Sequence, residues 1–280
     1  MNFDNLLKIG KNELKKNSIL NYNLDSEILL SQALNISREN LILNLNKTVN
    51  KFIQQKYFNL IKKRSQKIPI AYILGYKEFW KSKFIVNKSV LIPRPETELL
   101  VEQALKLINK DSKLSVLDIG TGTGCILISI LKERKFCRGL GIDISKLALN
   151  NAKSNAKMQQ LENRIKFIKS DIDNFFTNKY DFILSNPPYI NKFKLKSLMD
   201  DVKMYEPSIA LDGGINGCSV LKKVIKKSAE LIKIKGKLIL EIDNNQLLFI
   251  KGILMKYNFI ISKVIKDLRG YNRCIIATKI

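Results

Sequence analysis

Between Lys113 and Tyr257 the chain alternates short apolar runs with stretches of helical period, and no other feature constrains its fold as tightly. An apolar run of a few residues bounded by turn signals reads as a strand buried on both faces. Such runs fall at 115–119, 138–142, 165–169, 181–185 and 237–242, with helices expected at 125–133, 145–161, 218–232 and 246–257. Strands separated by helices pair in parallel, and the helices cover both faces of the sheet. The expected class is therefore α/β, a doubly wound sheet. Two further runs, 259–265 and 274–278, are separated by a turn around Gly270. They read as an antiparallel hairpin at the sheet edge.

The 280 residues suffice for one large domain and a small one. Residues 1–75 carry helical spacing, seen in Phe3, Leu6, Leu7, Gly10 and Leu14. Asp25 is expected to cap a second helix and Ser37 a third. Val49, Phe52, Ile53, Tyr57, Leu60 and Ile61 make an apolar stripe. A small helical domain that docks a partner is the expectation. Residues 76–97 read as a hairpin followed by a Pro-rich linker around Pro93-Arg94-Pro95, and 98–280 as the main domain, which a helix from Glu96 to about Asn109 leads into.

Composition excludes several classes. No apolar run is long enough to span a bilayer and the N-terminus lacks a signal-peptide core. Cys125, Cys137, Cys218 and Cys274 show no metal-ligand spacing. The expectation is a reduced, cytoplasmic protein without metal or membrane. A net charge of +24 suits an anionic or ribosome-associated setting. It is carried mostly by lysines spread along the chain, so it argues only weakly for direct nucleic-acid binding. There is no histidine, so any proton transfer falls to a carboxylate, Lys, Tyr or water.

Asp118-Ile119-Gly120-Thr121-Gly122-Thr123-Gly124 follows the first strand of the expected sheet and precedes a helix. Glycines there allow a tight turn and close approach of a ligand. The spacing is a poor pyrophosphate loop and lacks the Lys-Ser/Thr of a P-loop. Asp143 ends the second strand, where a carboxylate can take both ribose hydroxyls. Asp171 follows the third, where it can meet an adenine edge. Three acids in this order beside a glycine loop suit an adenosine with a positive tail. Asn186-Pro187-Pro188-Tyr189 ends the fourth strand. The two prolines forbid helix and ladder alike, so the corner offers an amide oxygen, free carbonyls and an aromatic face. Those groups suit a planar substrate bearing an NH2.

These motifs resemble the class I S-adenosylmethionine-dependent methyltransferases. More narrowly, the chain is similar to the protein-glutamine methyltransferase family that modifies the Gly-Gly-Gln loop of peptide-chain release factors. The likeness covers Gly75 with Glu78-Phe79-Trp80, Leu91 to Glu98, Val116 to Gly124, Ile142 to Ser145, Ser185 to Ile190, Glu206-Pro207 and Ala210 to Gly214. It implies a Rossmann-like methyltransferase sheet behind a helical N-terminal domain. It implies S-adenosyl-L-methionine as methyl donor, held by Gly120, Thr121, Gly122, Thr123, Gly124, Asp143, Asp171, Ile172 and Asn186. It implies release factors as substrate, held at Asn186, Pro187, Pro188 and Tyr189, with Asn186, Pro187 and Tyr189 catalytic. Asn216 stands where the family often has Asp, and Ile172 where a side chain covers the adenine. The Asn-Pro-Pro-Tyr corner is shared with enzymes that methylate base amines, so methylation of DNA or RNA stays open beside it. So does a catalytically idle adenosine-binding adaptor.

Overall fold

The computed structural model describes residues 1–280. The chain divides into two compact units. Met1–Gly75 and Met199–Tyr205 make the first, and Tyr76–Leu198 with Glu206–Ile280 the second.

In the first unit, helices span Phe3–Lys16, Tyr22–Leu34, Arg38–Ile42, Lys51–Ser65 and Ile70–Leu74. Asn2, Ser37 and Asn50 cap three of them by accepting the amide hydrogens of Asn5, Asn40 and Ile53. Leu6, Leu14, Leu29, Leu30, Leu41 and Tyr57 fill the core. Two details depart from expectation. The second helix begins at Tyr22, so Asp25 lies inside it and is no cap. Asp25 is buried and accepts from Arg64 Nε at 2.7 Å. Phe52 is 74% exposed, whereas its neighbour Ile53 packs on the core. Adjacent helical residues point about 100° apart, so only one of the two can face inward. The segment Met199–Tyr205 joins this unit through Asp201, 3.5 Å from Arg64, and through the Tyr205 hydroxyl, which donates to the Gln66 carbonyl.

The second unit opens with a hairpin of β1 (Tyr76–Phe79) and β2 (Ser82–Ile85). Phe79 and Phe84 are buried in the same core as Leu100 and Leu127, so residues 76–85 are packed into this unit. In the Pro-rich segment, Glu206 accepts from the Ile92 amide at 3.1 Å and from Arg94 at 2.6 Å.

The main sheet holds β3 (Ser115–Ile119), β4 (Arg138–Asp143), β5 (Ile165–Lys169), β6 (Tyr180–Ser185), β7 (Ile232–Glu241), β8 (Phe259–Lys266) and β9 (Asn272–Lys279). Their order is β5-β4-β3-β6-β7-β9-β8. The pairs from β5 to β7 are parallel, and β9 runs antiparallel to both β7 and β8. Alternate residues feed opposite faces. Val116, Phe182, Leu184 and Ile239 enter one core, and Leu117, Ile183, Leu238 and Leu240 the other. β7 begins five residues before the run at 237–242. Its first half, Ile232 to Gly236, alternates isoleucine with exposed lysine and follows the helix Ser219–Leu231 with no turn residue between them.

The winding reverses between β3 and β6. β4 and β5 build outward on one side of β3, and β6 and β7 on the other. A crevice opens beyond the carboxyl ends of strands at such a switch point. Here it lies between Ile119 and Ser185, which are register partners.

Candidate functional site

A cavity occupies that crevice. Gly120, Gly122, Asp143, Asp171, Ile172, Asn186, Pro187 and Pro188 are among the residues that line it. Eight residues named from sequence thus meet at one place, though they come from four separate stretches of chain.

The glycine loop is held at both ends. The Gly120 and Thr121 amides donate to the Ile142 carbonyl of β4 at 2.9 and 3.0 Å. The Gly122 amide donates to Asp143 Oδ2 at 2.9 Å. Gly120 and Gly122 have φ of +72° and +54°, which L side chains rarely adopt; a Cβ on Gly120 would meet nothing within 4 Å, and one on Gly122 only the Gly120 carbonyl at 4.0 Å. Thr121, Thr123 and Gly124 do not line the cavity. The Thr121 hydroxyl donates to Asp118 Oδ2 at 2.7 Å, Thr123 Oγ1 accepts from the Cys125 amide, and Gly124 precedes the helix Cys125–Glu133 in a left-handed turn. These three build the loop.

Asp118 is fully buried and its Oδ1 has no partner. Burial pushes its pKa up to about 7, against the Thr121 hydrogen bond, and the nearby Asp143 adds to the rise. Asp143 keeps one backbone donor on each oxygen, Gly122 on Oδ2 and Ser145 on Oδ1 at 2.9 Å. Each oxygen retains a lone pair for a second donor. Asp171 caps the short turn Ile172–Asn174 through the Asp173 amide.

The corner after β6 is tied down on every side. Ser185 donates to the Ile119 carbonyl at 2.7 Å. Asn186 Nδ2 donates to Thr97 Oγ1 at 3.0 Å, while no protein donor reaches Asn186 Oδ1 or the Pro187 carbonyl. Tyr189 stands behind the cavity and not in its lining. Its hydroxyl donates to Glu241 Oε1 at 3.1 Å, and its carbonyl accepts from Gln246 Nε2. Burial and the Glu241 carboxylate both push the Tyr189 pKa up, so the phenol stays protonated. Ile190 pairs with Asp212 and donates to the Leu211 carbonyl. A Cβ on Gly217 would come within 2.4 Å of the Tyr189 carbonyl, so only glycine lets this return segment lie against the corner.

Several contributors lay outside the sequence-level reading. Ser89, Val90 and Leu91 of the Pro-rich segment line the cavity, as do Pro207, Ile209 and Lys223. Thr97 and Glu241 lie behind it, with Thr97 Oγ1 2.7 Å from Glu241 Oε2. Glu241 is 1% exposed, and burial lifts its pKa to about 7 against hydrogen bonds from Thr97 and Tyr189 and the charge of Arg273. A single acid inside the apolar run Leu238 to Ile242 was the one signal that could have marked it.

Residues 5–75 match the family model of the PrmC N-terminal domain, and residues 110–274 that of a methyltransferase domain. The chain is 38% identical over 277 residues to the release factor glutamine methyltransferase of Clostridium botulinum, covering 98% of each. It is 36% identical over 285 residues to that of Buchnera aphidicola subsp. Baizongia pistaciae, covering 100% of each. Among solved structures, a methyltransferase from Pyrococcus furiosus shares the fold, with a TM-score of 0.51 at 17% identity, over 70% of this chain and 87% of that one.

Proposed function

We infer the activity from the family to which this chain belongs, the release factor glutamine methyltransferases. The chain is an S-adenosylmethionine-dependent methyltransferase that acts on a release-factor glutamine. The finer proposal is that its target is the glutamine of the Gly-Gly-Gln loop. One observation carries the assignment: Asn186 spends its NH2 on Thr97 and keeps Oδ1 free at the cavity, beside a free Pro187 carbonyl. Two adjacent acceptors suit a group that brings two N–H donors on one nitrogen.

The cavity fits the methyl donor. Gly120 leaves open space where a Cβ would stand, Asp143 in the lining has spare lone pairs, and behind the loop the buried Asp118 has an oxygen without a partner. The loop, backed by Asp118 through Thr121, would hold the methionine end, Asp143 the ribose, and Asp171 with Ile172 the adenine. When bound, S-adenosyl-L-methionine supplies a methyl group on a sulfonium, with a neutral thioether as leaving group.

The chain's own residues then have two tasks. An amide nitrogen is a weak nucleophile because its lone pair is delocalised into the carbonyl. Asn186 Oδ1 and the Pro187 carbonyl accept its two N–H bonds. This orients the nitrogen lone pair and places oxygen dipoles where positive charge develops. Pro187 and Pro188 keep those acceptors from relaxing toward regular pairing. Tyr189, fixed at its hydroxyl by Glu241, braces the corner from behind. After transfer the extra proton leaves to water, and no enzymic base is needed.

The first unit is proposed to dock the release factor. No helix is long and apolar enough to cross a membrane, and we place the enzyme in the cytoplasm, where the +24 charge suits the neighbourhood of the ribosome.

The test is methyl transfer from labelled cofactor to intact release factor. Changing the loop glutamine to Asn shortens the acceptor by one methylene and should abolish incorporation. Persistent labelling at that position, or labelling of DNA or RNA in its place, would overturn the assignment.

A further inference from the structure

We propose that Glu241 and Thr97 are positioning residues that set which way the Asn186 amide faces. The inference rests on the glutamine reading above and goes beyond it, because neither residue lines the cavity. A count of protons fixes the orientation. Ionised Glu241 is an acceptor only. The Tyr189 hydroxyl occupies Oε1 at 3.1 Å and the Thr97 hydroxyl occupies Oε2 at 2.7 Å. Thr97 has one proton, and Glu241 takes it. What Thr97 Oγ1 can then offer Asn186 at 3.0 Å is a lone pair, so Asn186 must turn its NH2 toward Thr97. Its Oδ1 is thereby left for the substrate amide.

A protonated Glu241 reverses the chain. It can donate to Thr97, whose own proton is then released toward Asn186. The amide turns over and presents NH2 to the cavity, where the substrate also brings N–H donors. Two donors facing each other cannot bind. The carboxylate is therefore the source of the polarity on which the corner depends. The groups around it are Arg273 and Cys274 on β9, Tyr189 of the corner, Glu96, and Cys125 at the start of its helix. Arg273 favours the ionised form and Glu96 opposes it. With burial included the balance lies near neutrality, at about 7.

The test pairs kinetics with a readout that needs no substrate. Glu241→Gln keeps the shape but gives Thr97 an NH2 donor. Thr97→Val keeps the shape and removes the relay, whereas Thr97→Ser keeps the hydroxyl and loses the methyl. For release-factor methylation, kcat should fall about a hundredfold in Glu241→Gln and Thr97→Val and stay near wild type in Thr97→Ser. Affinity for S-adenosylmethionine should be unchanged in all three. Wild-type kcat should fall on the acid side of neutrality, and that dependence should vanish in Glu241→Gln. In parallel, the Asn186 side-chain amide signal in 15N–1H spectra, assigned by its loss in Asn186→Asp, should titrate with Glu241 in wild type and stay constant in Glu241→Gln. Full kcat in Glu241→Gln, loss in Thr97→Ser equal to that in Thr97→Val, or an Asn186 signal indifferent to pH would each overturn the proposal. If wild-type enzyme fails on release factor, the substrate reading falls, and the spectra still decide the orientation.

Discussion

The Gly122 amide donates to Asp143 Oδ2 at 2.9 Å, which ties the glycine loop after β3 to the acid that ends β4. One carboxylate therefore serves the loop and the proposed ribose site together. Asp143→Ala removes both. Hydrogen bonds to a charged acceptor are worth about 1.5–3 kcal/mol, so affinity for S-adenosylmethionine should fall roughly ten- to hundredfold. Calorimetry checks it, and unchanged affinity would remove Asp143 from the ribose site.

At the corner, Asn186→Ala should lower kcat by about a hundred- to a thousandfold, the usual loss for one preorganised polar group. Binding of the cofactor should change far less, and the melting temperature little, since Asn186 lines a cavity and leaves no core void. Tyr189→Phe orphans one oxygen of buried Glu241 and should destabilise by about 1–3 kcal/mol. Denaturant titration of the two variants separates the chemical role from the structural one.

In the first unit, Arg64 and Asp25 pair with side chains only 9% and 6% exposed. Removing Asp25 leaves buried Arg64 with only the longer Asp201 contact at 3.5 Å and the Ile68 carbonyl. Asp25→Ala should cost about 3–5 kcal/mol, read from the urea midpoint. A loss under about 1 kcal/mol would mean that Asp201 or water takes over the Arg64 charge.

Docking through the first unit is testable on its surface. Leu20, Leu43 and Phe52 are exposed apolar side chains there, at 80, 81 and 74%. Replacing Leu43 and Phe52 by Glu should raise KM for intact release factor and leave turnover of a short glutamine peptide unchanged. Equal KM for the intact protein would place docking elsewhere.

Stability should also fall as pH rises from the ordinary carboxylate range toward neutrality. Folding lifts Asp118 from 3.8 and Glu241 from 4.5 to about 7. Between those values the native state holds protons that the unfolded chain has released. The derivative of unfolding free energy with pH is therefore negative, and stability present at low pH is lost as pH rises toward 7. Urea midpoints across that window should decline more steeply in wild type than in Asp118→Asn. Parallel slopes would show that Asp118 is ionised throughout.

The sheet was legible where polarity is local. β3 and β5 span the runs read from sequence: β3 is largely buried, and β5, although it is the edge strand with both lysines exposed, still carries Ile165, Phe167 and Ile168. The first half of β7 was not: Ile232 and Ile234 alternate with exposed lysines, but this short run abuts the helix Ser219–Leu231, and no Gly, Pro or Asn marks where helix gives way to strand. Asp25 misled for a related reason: a carboxylate near a helix start usually caps it, and only Arg64, 39 positions away, explains its burial. The site followed the same division. Gly120, Gly122, Asp143, Asp171 and Asn186 sit at strand ends, and strand ends are what periodicity locates. Thr97 and Glu241 act through partners 89 and 52 residues distant, and nothing in their neighbours announces it.

Since Met199–Tyr205 belongs with residues 1–75, the first unit is discontinuous in sequence. A protease that nicks the chain after Gly75 would leave a six-helix body assembled from both fragments, its sixth helix Asp200–Tyr205 held by Arg64 and Gln66. Grafting residues 1–75 alone onto another catalytic domain would leave that body unfinished, so the transferable cassette comprises both pieces.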